Sequence, residues 1–563
     1  MTRPKPMISS NDSQQLDTAV PQQPVSRPLW TVQRVLLGIA LAILLFYFVV
    51  YVVYAFNLIR FPFDYDQGEG FELVDVMMFS QFQWPYADIE QYPFYGSIYP
   101  PLYHILLVPF AWLFGPEYWY GRLFSFASTL VAAGAIAYAV YRQAGRTKNA
   151  SFIGLLSGLA FLSSNIIYHI GPLFRQHIPM FMFEVLAIVV LANADEISDK
   201  GKRRQQLLLG FGLLLAAGYT KQLAAFTAIA ALGFLFIRQP RRAFFWGLGF
   251  AIVGTGIFLL INISTDGNWW TQTVTANVKD FIPAQAIGLF RLWFKLHGFL
   301  IVPAVLYMLY EVYFARISIY SLWFIIATIL NGMSAGTWGA GDSYYGTSIA
   351  ATCILSGIFA ARVLNRDWTF NNNIYNRILI DPFRRFAPLF ASIGMVVIPL
   401  LYIGYGRAVM HLPTTGAGFR QIADIFDVQP NALNGFYDSA GRLTGAYADI
   451  GHFTTQADID AGYQIVDFVN ATDKLVLSEE AAFSLITERD VITNPVVLYI
   501  LDQVGAYDSS ALVAMLEQQE FGLVILRAQF YPDEVNRAIT TYYEPFEEIR
   551  MNGFDYILKR PKS

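Results

Sequence analysis

Between Phe61 and His104 the chain reads FPFDYDQGEGFELVDVMMFSQFQWPYADIEQYPFYGSIYPPLYH, with acidic residues at every third position, Asp66, Glu69, Glu72 and Asp75, and Asp64 just ahead of them. Helical neighbours three apart share a face, so this spacing predicts that Asp66 and Glu69 project together while Phe71, Leu73, Val74, Val76 and Met77 meet a membrane boundary. A carboxylate so held can take the proton of an attacking hydroxyl, the work of a general base. Asp66 is the first candidate, Glu69 the second and Asp64 the third. The second half of the stretch is stiffened by Pro85, Pro93, Pro100 and Pro101, and its aromatic residues suit a bilayer surface.

The elements that position this loop are membrane helices. Hydrophobic residues make up 55% of the chain and charged residues 14%, which excludes a single soluble domain of this length. Residues 1–34, rich in Pro, Gln and Ser, read as a disordered cytoplasmic tail, and 35–406 as a polytopic α-helical membrane domain. The expected spans are 35–56, 121–141, 151–171, 178–194, 207–219, 222–237, 243–263, 297–315, 318–335, 346–364 and 386–406, about eleven. One helix over 207–237 would rise roughly 46 Å, more than the hydrocarbon needs, so a turn is expected near Lys221.

Basic residues cluster in alternate connections, at Arg142–Lys148, Lys200–Arg204, Arg238–Arg242 and Arg362–Arg385, which the positive-inside rule assigns to the cytoplasm. The same rule sets the N-terminus inside and the acidic loop, 61–103, outside. If Tyr99–Gly115 crossed fully, every later basic loop would invert, so it is expected to be a re-entrant piece that returns to the outer face.

Beyond residue 406 the composition changes. Residues 407–563 carry 22 acidic and 11 basic residues by count, and their strands alternate with helices: helix 456–470, strand 474–478, helices 495–503 and 508–519, strand 521–526, helix 533–543, and strands near 546–551 and 553–559. A small extracytoplasmic α/β domain is expected. It shows no glycine-rich phosphate loop, metal-ligand cluster or nucleophile elbow. The one cysteine, Cys353, lies in an apolar run, so the exported part is stable without an intrachain disulfide.

DYDQGEG just after the first span, then YPPLYH, FGPEYWYGR at 114–122 and YTKQ at 219–222, resemble the GT-C superfamily of membrane glycosyltransferases. The nearest branches are the dolichyl-phosphate-mannose protein mannosyltransferases and the lipid A aminoarabinose transferases. The resemblance covers roughly the first 240 residues well and the later spans in outline. It implies a GT-C-like fold and transfer of a sugar from a polyprenyl-phosphate carrier to a lipid, polysaccharide or protein acceptor on the outer face. It also implies an acidic first-loop residue at the catalytic centre. Relatives have adjacent Asp-Glu or Glu-Asp there, whereas here the acids are spaced as Asp64, Asp66 and Glu69. The departing phosphate then needs fixed cations, for which Lys221, Arg175 and Arg122 lie on the outer side. Tyr99, Tyr103 and His104 are candidates for donor contacts, and Asp342, Tyr344 and Tyr345 for the acceptor.

Plainer readings stand beside these. Asp66 with Glu69 three residues on fits a helix N-cap and its reciprocal partner. Asp64-Tyr65-Asp66 mimics an Asp-x-Asp site for magnesium, manganese or calcium, so a divalent cation is an option and no cofactor is required. Lys221 could snorkel, Arg122 could mark a span end, and Arg175 could pair with lipid phosphate. His169 and His177 have no third ligand near in sequence and read as interfacial hydrogen-bonders. A transporter or flippase of lipid-linked glycans would be expected to show internal repeats and charges deep in several helices, and neither is visible. An O-antigen-ligase-like transferase is the other alternative; its main outer loop would come late in the chain and be rich in Arg and His. Nothing in the chain calls for nucleic acid.

Overall fold

The expected apolar stretches all become helices in a computed structural model of the protein, which describes residues 27–414, 418–431, 436–438 and 453–563. The first helix, α1 (Arg27–Ile59), starts inside the stretch assigned to the tail, and residues 1–26 of that tail lie outside the described residues. Its inner face follows the helical period, with Ala40, Leu44, Tyr47, Tyr51, Tyr54 and Leu58 buried. The opposite face exposes Val35, Ile39, Leu45, Val49 and Val53, as suits lipid.

The outer loop holds α2 (Glu69–Ser80) and α3 (Leu102–Phe114). The bundle continues with α4 (Tyr118–Gln143), α5 (Lys148–Ser163), α6 (Asn165–Ile170), α7 (His177–Glu196), α8 (Lys200–Thr220), α9 (Ala225–Arg238), α10 (Pro240–Ser264) and α11 (Asn268–Thr273). It closes with α12 (Pro283–Phe314), α13 (Ile319–Ser334), α14 (Gly346–Asn365) and α15 (Ala387–Ala408). Among the described residues, seven helical segments are long and apolar enough to cross a bilayer: Leu29–Ile59, Tyr118–Gln143, His177–Glu196, Pro240–Ser264, Pro283–Phe314, Asp342–Asn365 and Asn376–Ala408. The other four expected spans, carried by α5 with α6, α8, α9 and α13, are shorter or begin with basic residues.

Three local features differ from a run of simple spans. The stretch 151–171 is broken at Ser164, whose extended backbone separates α5 from α6 and whose hydroxyl bonds His297 Nε2 at 2.8 Å. Lys221 is extended too, and forms the turn between α8 and α9. The thirteen residues of α3 rise about 20 Å, short of the hydrocarbon thickness. Its inner residues Tyr103, His104 and Leu107 are buried, while Phe110, Trp112 and Leu113 are exposed at its outer side.

A carboxyl does lie deep in the bundle. Glu184, seven residues into α7, accepts the hydroxyls of Thr227 and Thr347 at 2.5 and 2.7 Å. It is one carboxyl in one helix, short of the charges in several helices expected of a transporter, and two hydroxyl donors from neighbouring helices satisfy it locally.

After α15 the chain forms β1 (His411–Pro413), α16 (Phe419–Ile425), β2 (Pro430–Asn431) and β3 (Phe436–Asp438), a small sheet of order β1-β3-β2 that sequence patterning did not disclose. The α/β unit follows as α17 (Gln456–Asn470), β4 (Leu475–Ser478), α18 (Ala482–Ile486), α19 (Pro495–Gln503), α20 (Ser510–Glu517), β5 (Phe521–Leu526), α21 (Asp533–Tyr542), β6 (Tyr543–Met551) and β7 (Phe554–Pro561). Its sheet has order β4-β5-β7-β6, with β4 and β5 parallel and the remaining pairs antiparallel. The domain sits on the outer loop. Asn494 donates to Gly96 O at 3.1 Å, Asn552 Nδ2 to Tyr65 O at 3.0 Å, and Gly462 of α17 rests against the Phe63 ring, where a Cβ would come within 2.2 Å.

Candidate active site

The acidic loop is built around a buried ion pair. Helix α2 starts at Glu69 rather than ahead of Asp66, so the two side chains do not project together. Glu69 reaches back to the backbone N–H groups of Tyr65 and Asp66 at 3.0 and 3.3 Å and accepts Phe174 N at 2.5 Å. Arg122 meets it fork to fork, Nε to Oε1 at 3.0 Å and Nη2 to Oε2 at 2.8 Å. The same guanidinium donates to the carbonyls of Leu58, Phe61 and Phe63 at 2.7, 2.5 and 2.8 Å. Burial alone would raise the Glu69 pKa, but the Arg122 charge and these donors hold it below the usual carboxylate range. Both residues are fully buried with their polar atoms occupied. Glu69, the second candidate base, and Arg122, a candidate phosphate ligand, are thus paired with each other, and the pair ties the loop to α4.

Asp64, the third candidate base, is held in a similar way. It is fully buried, accepting Gly70 N at 2.5 Å, Tyr118 OH at 3.0 Å and Ala482 N at 3.1 Å. Burial and the nearby Glu480 and Glu69 carboxyls push its pKa well up. Asp64 and Asp66 point to different partners, so the Asp-x-Asp spacing does not converge on a shared metal.

Asp66 is turned the other way. Its Oδ2 receives Arg175 Nε and Nη2 at 2.6 and 2.5 Å. The plain N-cap reading holds for Glu69, which reaches back to the Asp66 N–H, and fails for Asp66, because the N-cap position is Gly68 and no side chain caps the helix. Gly68 is needed for a close approach, since a Cβ there would lie 2.1 Å from the Arg175 guanidinium. The Asp66 and Arg175 side chains keep 10% and 17% of their surface exposed, against 3% or less for Glu69, Arg122 and Glu72, so this pair is the open edge of the cluster.

Behind Arg175 a chain of alternating charges runs inward. Its Nη1 meets Glu72 Oε1 at 3.2 Å, Glu72 Oε2 meets His104 Nε2 at 2.6 Å, and Asp75 Oδ2 lies 3.6 Å from that nitrogen. Tyr95 and Ser97 donate to Asp75 at 2.8 and 2.5 Å. His104 and Tyr103, both candidates for donor contact, are wholly buried. Glu72, Asp75 and His104 offer three donor atoms within 4.8 Å of one another, a set that could hold a divalent cation; in this arrangement they pair with each other instead.

Burial, and then the Glu72 charge, push Asp75 up to about 7, while burial lowers His104 and the Asp75 and Glu72 carboxylates raise it past its ordinary value. Both groups bind protons more tightly in the folded state. Their contribution to stability is present in full below the unfolded values and is lost as pH rises through the folded ones. The thermal midpoint is expected to fall between about pH 4 and pH 7 through Asp75 and further above about pH 6.5 through His104, and Asp75→Asn to remove the first of these falls. An unaltered slope in Asp75→Asn, measured by thermal denaturation in detergent, would show the network to be uncoupled from folding.

Lys221 closes the other side. Its Nζ contacts His177 Nε2 and lies 5.2 and 5.4 Å from the ring centroids of Tyr99 and Tyr344, within cation–π reach. Burial, then the Arg175 charge, bring its pKa down to about 7. The structure thus gathers Lys221, His177, Tyr99 and Tyr344 near the Asp66–Arg175 pair, although they come from four separate parts of the chain.

The C-terminal domain adds residues that sequence reasoning missed. Glu479 accepts the backbone N–H groups of Arg527, Ala528 and Phe530 at 2.5, 2.8 and 2.5 Å, which shapes the turn after β5. Arg527 pairs through Nη1 with Glu480 and stacks 3.7 Å from the Phe554 ring centroid. Its Nε and Nη2, the fork of the guanidinium, are buried without a hydrogen-bond partner among the described residues. Arg527 is near enough to Asp66 for the two charges to interact. No motif marks it; a buried arginine after an apolar strand was the one available signal.

The model of the family described as dolichyl-phosphate-mannose-protein mannosyltransferase matches residues 99–269. No curated protein matches the chain in sequence. Among solved structures, ArnT from Cupriavidus metallidurans in the apo state is similar at a TM-score of 0.56 and 12% identity, over 92% of this chain and 97% of that one. The same protein bound to undecaprenyl phosphate gives 0.55 and 13%, over 95% and 98%. At these identities the likeness is one of fold, and it extends through the C-terminal domain.

Proposed function

From a membrane chain with the GT-C glycosyltransferase fold, we propose transfer of a sugar from a polyprenyl-phosphate donor to an acceptor hydroxyl at the outer face. The acceptor oxygen attacks the anomeric carbon, the bond from that carbon to the phosphate oxygen breaks, and Asp66 takes the acceptor's proton. The carrier phosphate leaves with its added charge and needs no general acid. Lys221 holds it, with Arg175 alongside, and Tyr99 and Tyr344 flank the Lys221 ammonium. Arg527, with its unpaired fork, is assigned to the acceptor side.

The observation that carries this reading is the contrast within the first loop. Asp64 and Glu69 are spent on backbone and on buried partners, while Asp66 stands at the open edge on a cation and beside a second one. Incubating the purified protein in liposomes with a radiolabelled polyprenyl-phosphate hexose and membrane acceptors should release free polyprenyl phosphate. No release from this donor, with polyprenyl pyrophosphate released instead from a pyrophosphate-linked glycan supplied in parallel, would favour an O-antigen-ligase-like reaction. Passage of the intact lipid-linked sugar across the bilayer without cleavage would favour a flippase.

Lys221→Met keeps the apolar stem and removes the charge, so packing against Tyr99 and Tyr344 should survive. One charge-assisted contact worth about 1.5–3 kcal/mol is lost, and kcat/KM for the donor should fall roughly 10- to 100-fold. Acceptor KM should hardly move. A defect confined to the acceptor would take Lys221 out of the phosphate role.

A further inference from the structure

At the end of the bundle opposite Lys221, helices α7, α8, α9, α10 and α13 border a partly open cleft whose inner cavity is about 30 Å³. Arg203 and Lys221 mark the two ends, about 27 Å apart along α8 at 1.5 Å per residue. Three guanidiniums line the cleft, from Arg203, Arg238 and Arg242, against one carboxylate, Asp195.

Their bonding is incomplete. Arg203 donates Nε and Nη2 to the carbonyl of Ile197. Arg238 donates Nη2 to Ile317 O at 2.6 Å, and its Nε faces Asp195 Oδ2 at 3.4 Å in a long ion pair, with 9% of the side chain exposed. Arg242 has no partner among the described residues. Three guanidiniums share a single carboxylate here, so the cleft retains donor N–H groups and an excess of positive charge that an outside anion completes.

Apart from Gln239 the remaining wall is apolar, and the helices that supply it, α8 and α9, carry Leu208, Leu209, Phe236 and Ile237 next in sequence to its residues and more than half exposed. A ligand that fits must carry an anionic head and a hydrocarbon tail together. A free anion would use the arginines and leave the wall and the adjoining surface uncovered.

We propose that this cleft binds an anionic phospholipid, the head-group phosphate seated among Arg203, Arg238 and Arg242 and the acyl chains lying on the exposed apolar faces of α8 and α9. Basic pockets between membrane helices select such head groups over zwitterionic ones because the excess positive charge is not cancelled by a head-group ammonium. The site is separate from the Lys221 cluster and does not depend on the glycosyltransferase reading.

The test is thermal stabilisation of the full-length protein in detergent, titrated with phosphatidylglycerol, with phosphatidylcholine of the same chains, and with inorganic phosphate. Phosphatidylglycerol should raise the midpoint saturably, with phosphatidylcholine and phosphate having little effect. In R238Q/R242Q the half-saturating phosphatidylglycerol concentration should rise at least about tenfold. Should the double variant fail to fold, R242Q alone serves, because Arg242 has no protein partner to lose, and it should shift the same curve by about threefold or more. Equal stabilisation by phosphatidylcholine, equal response to phosphate alone, or an unshifted curve in R242Q and in the double variant would each overturn the proposal.

Discussion

Asp66→Asn is expected to leave the protein folded and inserted while lowering glycosyl transfer by about 100-fold or more, the range that removal of a general base brings. The amide keeps the shape of the carboxylate and can still accept one N–H of Arg175, whose Nη1 also remains on Glu72, so the local arrangement should persist. What disappears is the capacity to take the acceptor's proton. Turnover is measured with labelled donor in liposomes and the thermal midpoint in parallel. If Asp66→Asn kept more than about a tenth of wild-type turnover at an unchanged midpoint, the carboxylate would not be the base.

Arg122→Met is expected to produce the largest loss of stability. The guanidinium is wholly buried, pairs with Glu69 and carries three carbonyls of the Leu58–Phe63 connection. Removing one partner of such a pair leaves an uncompensated charge and typically costs about 3–5 kcal/mol, enough to prevent accumulation of a marginally stable membrane protein. Glu69→Gln in the same background should recover part of the loss, because the stranded charge is gone, and that non-additivity is the signature of a direct pair. A well-folded Arg122→Met with weakened donor binding alone would return Arg122 to the phosphate site.

What the sequence disclosed depended on how far each residue's partner lies along the chain. Strand β5 and helix α19 were legible to the residue, because apolar runs bounded by polar turns are local signals. The parity of the basic loops made Tyr99–Gly115 a re-entrant piece, and that stretch contains the thirteen-residue helix α3. Asp66 could be ranked first from the loop's chemistry, but nothing within the loop reveals that Glu69 belongs to Arg122, 53 residues later, or that His104 faces Glu72 rather than a ligand. The break at Ser164 was hidden for a similar reason. Its apolar surroundings read as a continuous span, and the partner that explains it, His297, sits 133 residues on. Arg527 and Glu480 were invisible, since a domain without a motif gives no reason to connect them with a loop more than 400 residues earlier.

The bond from Ala482 N to Asp64 links residues 418 positions apart. At about 5–20 residues per second, roughly 20–80 s of synthesis separate the emergence of the loop from the arrival of the segment that completes it. Over that interval Asp64 lacks one of its three donors and Tyr65 lacks the Asn552 amide, so the loop remains an unfinished structure at the membrane surface. Nascent chains arrested before Ala482 should therefore be cut within Phe61–His104 by an externally added protease, and full-length chains should resist it. Completion of the acidic loop is in this sense a late event of biosynthesis, set by the arrival of the segment that carries Ala482.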